Sequence, residues 1–539
     1  MSASNPHPGL HVGDGPADPE HDPRASYALE PAYVDNLTRR VVSSTGQTSA
    51  VRSPLADQPL AHIPQSSTAD VATAYEKARV AQAAWARTSL DDRAACMLRL
   101  HDLVLDRQEE ILDLIVLESG KARKHAFDEP LHIALTARYY ARTAHQHLDT
   151  QRKLGVIPAL TRVEVNRVPK GVVGIISPWN YPFTMALCDG LPALMAGNAV
   201  VAKPDAQTML SALLGAQLLE EAGFPADLWQ VVAGPGRELG GPMIERSDYV
   251  CFTGSTATGK LIAAQCAERL IGCSLELGGK NPILVLRDAD LEKAAEGAVR
   301  ASFSNAGQLC VSMERMFVAD QVYDRFVERF VARTEAMSLG ASLDWGVDMG
   351  TLISADQLET VQAHVDDAVA KGARVLTGGR ARPDLGPYFF EPTILEGVTP
   401  DMTCFGHETF GPVISLYRFH DEADAVARAN EGEYGLNASI YTQDGTRGRA
   451  MARRIKCGTV NINEAFGATF ASVDSPMGGM RESGMGRRQG SEGIHRYTES
   501  QSVATQRLVR FAPMLGMSDQ AYAKMMTANL RLMKKLGRA

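Results

Sequence analysis

The chain predicts an α/β fold built from two doubly wound units, and three observations carry that prediction. Short β-rich runs (VVGIIS, NAVVAKP, LWQVVAG, YVCFTGS, SLELGG) alternate with helical stretches, the pattern of βαβ units on a mainly parallel sheet. A second alternation (PILVLR, MFVAD, PVISLYRF, NASIYT, TVNIN) begins near residue 281 and repeats the first at no fixed period. With 539 residues the chain also exceeds what one hydrophobic core organises.

In order along the chain, residues 1–30 are rich in Pro, His, Asp, Ser and Gly, and they read as a disordered arm. They lack the basic start and apolar centre of a secretory signal. Thr68 is the expected cap of a helix through VATAYEKARVAQAAWAR. Asp91 or Asp92 opens the next, a single helix that Gly120 ends. A further helical stretch covers 125–148, and RVEVNRVPKG alternates like a half-exposed strand. In the second alternation, helices are expected near 291–305 and 321–338. At the far end, APMLGMSDQAYAKMMTANLRLMKKLGRA reads as an amphipathic basic helix over 511–539. Ser518 is its cap, and Tyr522, Met525, Met526, Leu530, Met533 and Leu536 share one face. It packs on its own fold or a sister subunit, or it lies on a membrane surface.

Composition narrows the function classes. A hydrophobic share of 45%, 22% charged residues and a net charge of −8 describe a soluble globular chain and argue against nucleic acid as the partner. No apolar run approaches the roughly 18 residues that a membrane span needs. The eight cysteines (Cys96, Cys188, Cys251, Cys266, Cys273, Cys310, Cys404 and Cys457) are scattered without a CxxC, which suits a reducing cytoplasm. No metal site is expected.

Four short segments carry chemistry together that none carries alone. SNAGQLC presents the Cys310 thiol after Gly307 and Gln308, and LELGGK sets Glu276 before two glycines that allow tight backbone. PWNYP holds the Asn180 amide on a loop stiffened by two prolines. FTGSTATG is a glycine-bracketed strand-to-helix junction whose free N–H groups suit a phosphate, although it is not GxGxxG. A thiolate can add to an aldehyde while the Asn180 amide and the Cys310 N–H meet the oxyanion. Loss of hydride to a nicotinamide leaves a thioester, and a carboxylate then activates water.

With SPWNYPF, VAKPDAQT, FTGSTATG, LELGGKNP, SNAGQLC and ETFGPV in this order, the sequence resembles the aldehyde dehydrogenase superfamily from about residue 35 to 508, most like an actinobacterial succinate-semialdehyde dehydrogenase (NADP+) branch. The resemblance implies a Rossmann-like cofactor-binding domain over 31–148 and 169–278, and a second α/β catalytic domain over 279–496. It also implies a small β oligomerisation extension, formed by 149–168 with 497–510, that makes a homodimer or homotetramer. It makes Cys310 the nucleophile, Glu276 the general base and Asn180 the oxyanion donor. Lys203 would hold the adenosine ribose, Glu408 the nicotinamide ribose and Ser255 the pyrophosphate. Gly254 and Gly259 would shape that turn, Gly234, Leu277 and Ala206 would complete the cofactor surface, and Trp179 and Phe410 would wall the pocket. Glu276 favours release of the free acid over transfer to coenzyme A.

Three positions depart from the family pattern. Ala206 stands where NAD-preferring members commonly carry a ribose-gripping glutamate. Its absence removes a charge that would repel a 2′-phosphate, so NADP is the expected cofactor, with NAD accepted if Asp205 turns inward. Cys188 and Ser304 stand where succinic semialdehyde enzymes place carboxylate-binding arginines. The small-molecule substrate is therefore expected to be succinic semialdehyde with a remote cation such as Arg481, or else an apolar, aromatic or medium-to-long-chain aldehyde reached past Phe466 and Phe470 at the tunnel mouth. Ser312 replaces the second cysteine of enzymes that inactivate through a local disulfide, so no such switch is expected. The rival class, a scaffold that kept the fold and lost the chemistry, is opposed by the presence of all five of Cys310, Glu276, Asn180, Lys203 and Glu408.

Overall fold

The computed structural model describes residues 10–12, 27–156, 160–507, 511–514 and 516–537. Two open sheets dominate. The six-stranded sheet runs in the order Gly484–Met485, Gly272–Glu276, Tyr249–Thr253, Val172–Ile176, Ala199–Lys203, Trp229–Val231. All its neighbours pair in parallel except the short first strand, which sets Leu275 against Met485 and Glu276 against Gly484 in antiparallel register. Residues 484–485 thus fall by chain position in the range expected for the second unit, yet they close the first sheet. The seven-stranded sheet runs Arg374–Thr377, Thr393–Glu396, Val413–Phe419, Met313–Ala319, Asn281–Val285, Asn437–Tyr441, Thr459–Ile462, with only its first strand antiparallel.

Every residue of Ala199–Lys203, Asn281–Val285, Met313–Ala319 and Asn437–Tyr441 is buried. That is why these strands read as nearly continuous apolar runs: helices cover both faces of a parallel sheet. In the first sheet the chain leaves Val172–Ile176 toward Ala199–Lys203 on one side, and later returns to its other side with Tyr249–Thr253. The strand order reverses there, and loops at the carboxyl ends of the two strands part to leave a crevice.

Several local expectations shift by a residue or a turn. The helix Thr68–Trp85 is capped by Ser67, not Thr68, because Ser67 and Asp70 form a reciprocal capping box. Ser89 caps Leu90–Asp106, and a second helix, Gln108–Ser119, follows across Arg107, so the stretch from 91 to 120 is two helices. Gly120 ends the second in the left-handed region at φ 69°. Of the expected disordered arm, residues Leu10–Val12 pair antiparallel with Tyr27–Leu29; residues 1–9 and 13–26 lie outside the described residues. A three-stranded antiparallel sheet joins Thr498–Gln506, Thr161–Pro169 and Gln151–Lys153, and eight of the nine residues of Thr498–Gln506 are exposed. The helix Asp519–Lys535, capped by Ser518, buries none of its residues. No helix among the described residues is long and apolar enough to cross a membrane.

Candidate active site

The crevice holds a cavity of about 250 Å3. Cys310, Glu276, Asn180, Trp179, Gly254, Ser255, Leu277, Glu408 and Phe410 all line it, so nine of the residues named from sequence meet on one surface.

Cys310 gets there through an unusual turn. The helix Leu291–Phe303 stops, and Asn305, Ala306 and Gly307 then take three successive left-handed conformations (φ 51°, 53° and 70°). Two of these are not glycine, and each such residue costs about 1–3 kcal/mol. A hydrogen-bond net holds them. The Asn305 N–H donates to His125 Nδ1 (3.1 Å), and Asn305 Nδ2 donates to the carbonyls of Asn180 and Gln308 (both 3.1 Å). Gln308 Nε2 returns to the Asn305 carbonyl (3.1 Å), and Gln308 Oε1 accepts from Ile353 N (2.9 Å). At Gly307 a side chain would collide with the Gly411 carbonyl, so only glycine fits. Asn281 Nδ2 then pins the Cys310 and Ser312 carbonyls at 2.8 and 2.7 Å. Burial pushes the Cys310 thiol up to about 12, aided by the Glu276 and Glu408 carboxyls and opposed by the Arg488 guanidinium.

Asn180 follows Val172–Ile176. Its Nδ2 donates to the Gln308 carbonyl at 3.1 Å, which leaves a second hydrogen for the cavity. Behind it, the fully buried pair Lys121–Glu129 (2.7 Å) fixes the loop: Lys121 Nζ also donates to the Asn180 carbonyl (2.7 Å) and lies 3.7 Å from the centre of the Tyr181 ring.

Glu276 ends the strand Gly272–Glu276 and is buried. Its Oε1 has no hydrogen-bond partner among the described residues, and desolvation raises its carboxyl to about 7 against the pull of Arg488. Glu408 accepts from Gly279 N at 2.8 Å, and burial followed by the nearby Glu314 charge raises it to about 8. A buried Lys280–Glu314 pair sits beneath it, the Glu314 carboxylate accepting the Thr409 and Phe410 N–H groups. Phe410, held at φ 52°, meets Trp179 edge to face with ring centres 5.6 Å apart.

Lys203, Ala206, Gly234 and Gly259 lie outside this cavity, at a strand end or in the segments that follow the strands around Gly254 and Ser255. Lys203 ends Ala199–Lys203, buried, with Nζ 3.3 Å from the Pro204 carbonyl. Gly234 (φ 156°) follows Trp229–Val231. Ser255 caps the helix Thr256–Glu268, its Oγ accepting from Thr258 N at 3.4 Å. A side chain at Gly254 would strike the Phe252 ring, and one at Gly259 would strike Leu277, so the junction keeps its backbone open toward the rim. Ala206 is exposed, and Asp205 spends a carboxylate oxygen on Gln207 N (3.0 Å). An ammonium, a helix start with free N–H groups and two carboxylate-bearing loops along one rim fit a dinucleotide.

Several placements correct the sequence reading. Phe470 lines the cavity, but Phe466 is buried beside Arg300, whose guanidinium lies 5.6 Å from its ring centre. Cys188 is buried outside the lining, and Ser304 lines a neighbouring cavity of about 640 Å3 together with Arg300. Arg481 donates to the carbonyls of Asn430, Gly432 and Tyr434 and does not reach the cavity. Sequence reasoning missed Arg488, the sole cation in the lining among the described residues, and Asp189, which holds it (3.0 Å). A GRRQG segment carries no signal that one arginine turns inward.

The aldehyde dehydrogenase family model matches residues 41–503. A Mycolicibacterium smegmatis protein named "Putative succinate-semialdehyde dehydrogenase, NADP(+)" is 50% identical over 477 residues, 88% of this chain and 92% of that one. A solved "E. coli NADP dependent enzyme" superimposes with a TM-score of 0.84 at 35% identity, covering 88% of this chain and 99% of that one. The NAD+ complex of a Bacillus cereus aldehyde dehydrogenase gives 0.83 at 34% identity over 89% of this chain and 99% of that one. The chain belongs to the aldehyde dehydrogenase family.

Proposed function

We propose that the enzyme oxidises succinic semialdehyde to succinate with NADP, through a thioester on Cys310. The observation that carries the chemistry is the meeting of Cys310, Glu276 and Asn180 in the lining of one cavity, with Glu408 and the Ser255 helix start in the same lining. As the Cys310 thiol, made a weaker acid by burial, adds to the aldehyde carbon, its proton passes to a carboxylate facing the same cavity and from there to solvent. The oxyanion so formed accepts from the second Asn180 hydrogen and from the Cys310 N–H. A bound nicotinamide supplies the hydride acceptor; Lys203, Ser255 and Glu408 would hold the dinucleotide, and Trp179 and Phe410 wall off water. Once the hydride has left carbon, Cys310 carries the acyl group. Glu276 then takes a proton from water as its oxygen attacks the thioester carbon, and the carboxylic acid leaves as the thiol is restored.

NADP is supported by Ala206, by an Asp205 already committed to its own turn, and by the names of the M. smegmatis and E. coli proteins. NAD is accepted more weakly. Succinic semialdehyde rests on the M. smegmatis name, since Arg300, one helical turn before Ser304, lines the neighbouring cavity and not this one. A second reading, an apolar aldehyde, is favoured by the cavity lining itself: Tyr181, Met185, Leu309, Phe470 and Met477 surround a lone cation tied to Asp189. We assign the exposed Thr498–Gln506 strand and the unburied Asp519–Lys535 helix to contacts in a homodimer or homotetramer, in the cytoplasm.

Kinetics with succinic semialdehyde, hexanal and benzaldehyde, each with NAD and NADP, test both readings. The expected result is at least a tenfold preference in kcat/KM for succinic semialdehyde, about 1.4 kcal/mol of transition-state binding, and higher kcat/KM with NADP. A preference for hexanal or benzaldehyde transfers the assignment to the apolar reading, and equal or better kcat/KM with NAD overturns the cofactor.

A further inference from the structure

Two neighbouring buried polar atoms at the catalytic cavity have no hydrogen-bond partner among the described residues. Glu276 Oε1 and Arg488 Nε are both without a hydrogen-bond partner among the described residues, and they lie 4.0 Å apart. Orphaned buried donors and acceptors are uncommon and costly, so a complementary pair within one small movement of closure calls for an explanation.

The arginine is anchored on its far side. Nη2 donates to Asp189 Oδ2 and to Thr253 Oγ1, both at 3.0 Å, and Nη1 lies 3.4 Å from Met185 Sδ. Asp189 also holds Arg496 at 2.6 Å, so a second cation secures that aspartate. The main chain supports the arrangement: Met477 and Arg488 exchange two backbone hydrogen bonds (2.8 and 2.7 Å), and Gly478 at φ 156° leaves the space that a side chain would take 2.9 Å from Glu276 Oε1. The guanidinium is fixed by these partners, and Glu276 Oε1 lies unbonded beside it.

Resting on the reading of Glu276 as the base that hydrolyses the thioester, we propose that Arg488 is its positioning residue: a buried guanidinium, 4.0 Å from Glu276 Oε1, that holds the carboxylate charged in the lining it shares with Cys310. A base must be unprotonated to act, and a carboxyl buried this deeply resists ionisation. An opposite charge within about 4–6 Å lowers such a group by about 1–3 units, enough to decide whether it is charged near neutrality. The charged groups that act on Glu276 are Arg488, Asp189, Arg496 and Arg487, and the Cys310 thiol shares the cavity lining; Arg488 and Asp189 act in opposite directions. This sets a test with two signs. Removing Arg488 raises the pH at which hydrolysis turns on, whereas neutralising Asp189 lowers it.

The experiment follows steady-state kcat from pH 5 to 10 in the full-length enzyme, with the preferred aldehyde and saturating NADP. Wild type, Arg488→Gln and Asp189→Asn are compared, and folding is checked by thermal melts. In Arg488→Gln the acid limb moves up by at least about one pH unit, so that a loss of about tenfold near pH 6 is recovered in alkali. In Asp189→Asn the limb moves down. Each variant reads the proposal alone should the other fail to fold. A loss of rate equal at every pH, or limbs that stay in place in the folded variants, would overturn it and leave Arg488 a purely structural partner of Asp189. Failure of the wild type to reduce NADP or NAD with any aldehyde strikes the underlying reading instead, and the two failures are told apart by the first column of the experiment.

Discussion

The two sides of the cavity are built on different principles. Apart from the Lys203 ammonium at a strand end, the side that fits a dinucleotide is made of main chain: loops after strands at Gly234 and Gly254, a helix start capped by Ser255, and glycines where a side chain would collide. The side that performs chemistry is made of buried charge. Ion pairs stand behind three of its groups: Lys121–Glu129 behind Asn180, Lys280–Glu314 beneath Glu408, and Asp189–Arg488 facing Glu276, while hydrogen bonds from amides hold the Cys310 turn. A loop of open N–H groups is sufficient for a ligand that brings its own charge. A carboxylate or amide that must hold one position while charge moves needs a support that cannot relax, and a fully buried pair supplies that at a large desolvation cost.

The largest expected break in that contrast is at Glu276. Glu276→Gln removes the base and keeps the shape. Steady-state turnover should fall about 10^2–10^4-fold, while the first-turnover burst of NADPH persists because thioester formation precedes the step that needs the base. Rapid mixing resolves the two phases, and a burst lost in parallel with turnover would move Glu276 from hydrolysis to the first step. In wild type, a carboxyl near 7 makes hydrolysis rise as pH climbs through that value, since only the ionised form accepts a proton.

Next in size is Lys121→Met. It leaves Glu129 buried and unpaired, a change that costs about 3–5 kcal/mol, and it frees the Asn180 carbonyl. Denaturant unfolding should show the loss, and kcat/KM should drop further than the fraction folded explains. Full stability with reduced rate would mean the pair serves Asn180 alone. Reduced stability with an intact rate would mean that it serves only the fold.

The same division governs what could be read from sequence. The strand runs, the Cys310, Glu276 and Asn180 segments and the glycine junction are local, and each carries its reason within a few residues. Strain at Asn305 and Ala306 was invisible because it is tolerated only through partners such as His125 and Ile353, which come from elsewhere in the chain. Arg488 was invisible for the same reason: an arginine in a basic surface-like segment becomes an active-site cation only when Met477 pairs with it and Asp189 turns toward it. Phe466 and Phe470 looked alike, four residues apart, and only the packing of Arg300 against Phe466 separates them.

The smallest effect sharpens the contrast from the dinucleotide side. Ser255→Ala removes the cap of Thr256–Glu268, a loss of about 0.5–2 kcal/mol in general, and the 3.4 Å bond to Thr258 N places it near the low end. Because Ser255 would meet the phosphate through a helix start and no buried charge, KM for NADP should rise a few-fold while the acid limb of kcat stays where wild type has it. The limb belongs to Glu276 and the charges around Arg488, none of which Ser255 contacts. Should that limb move in Ser255→Ala, the two sides of the cavity are coupled through the Gly254–Glu276 backbone hydrogen bond (3.0 Å), and the separation between main-chain binding and charge-held chemistry would have to be given up.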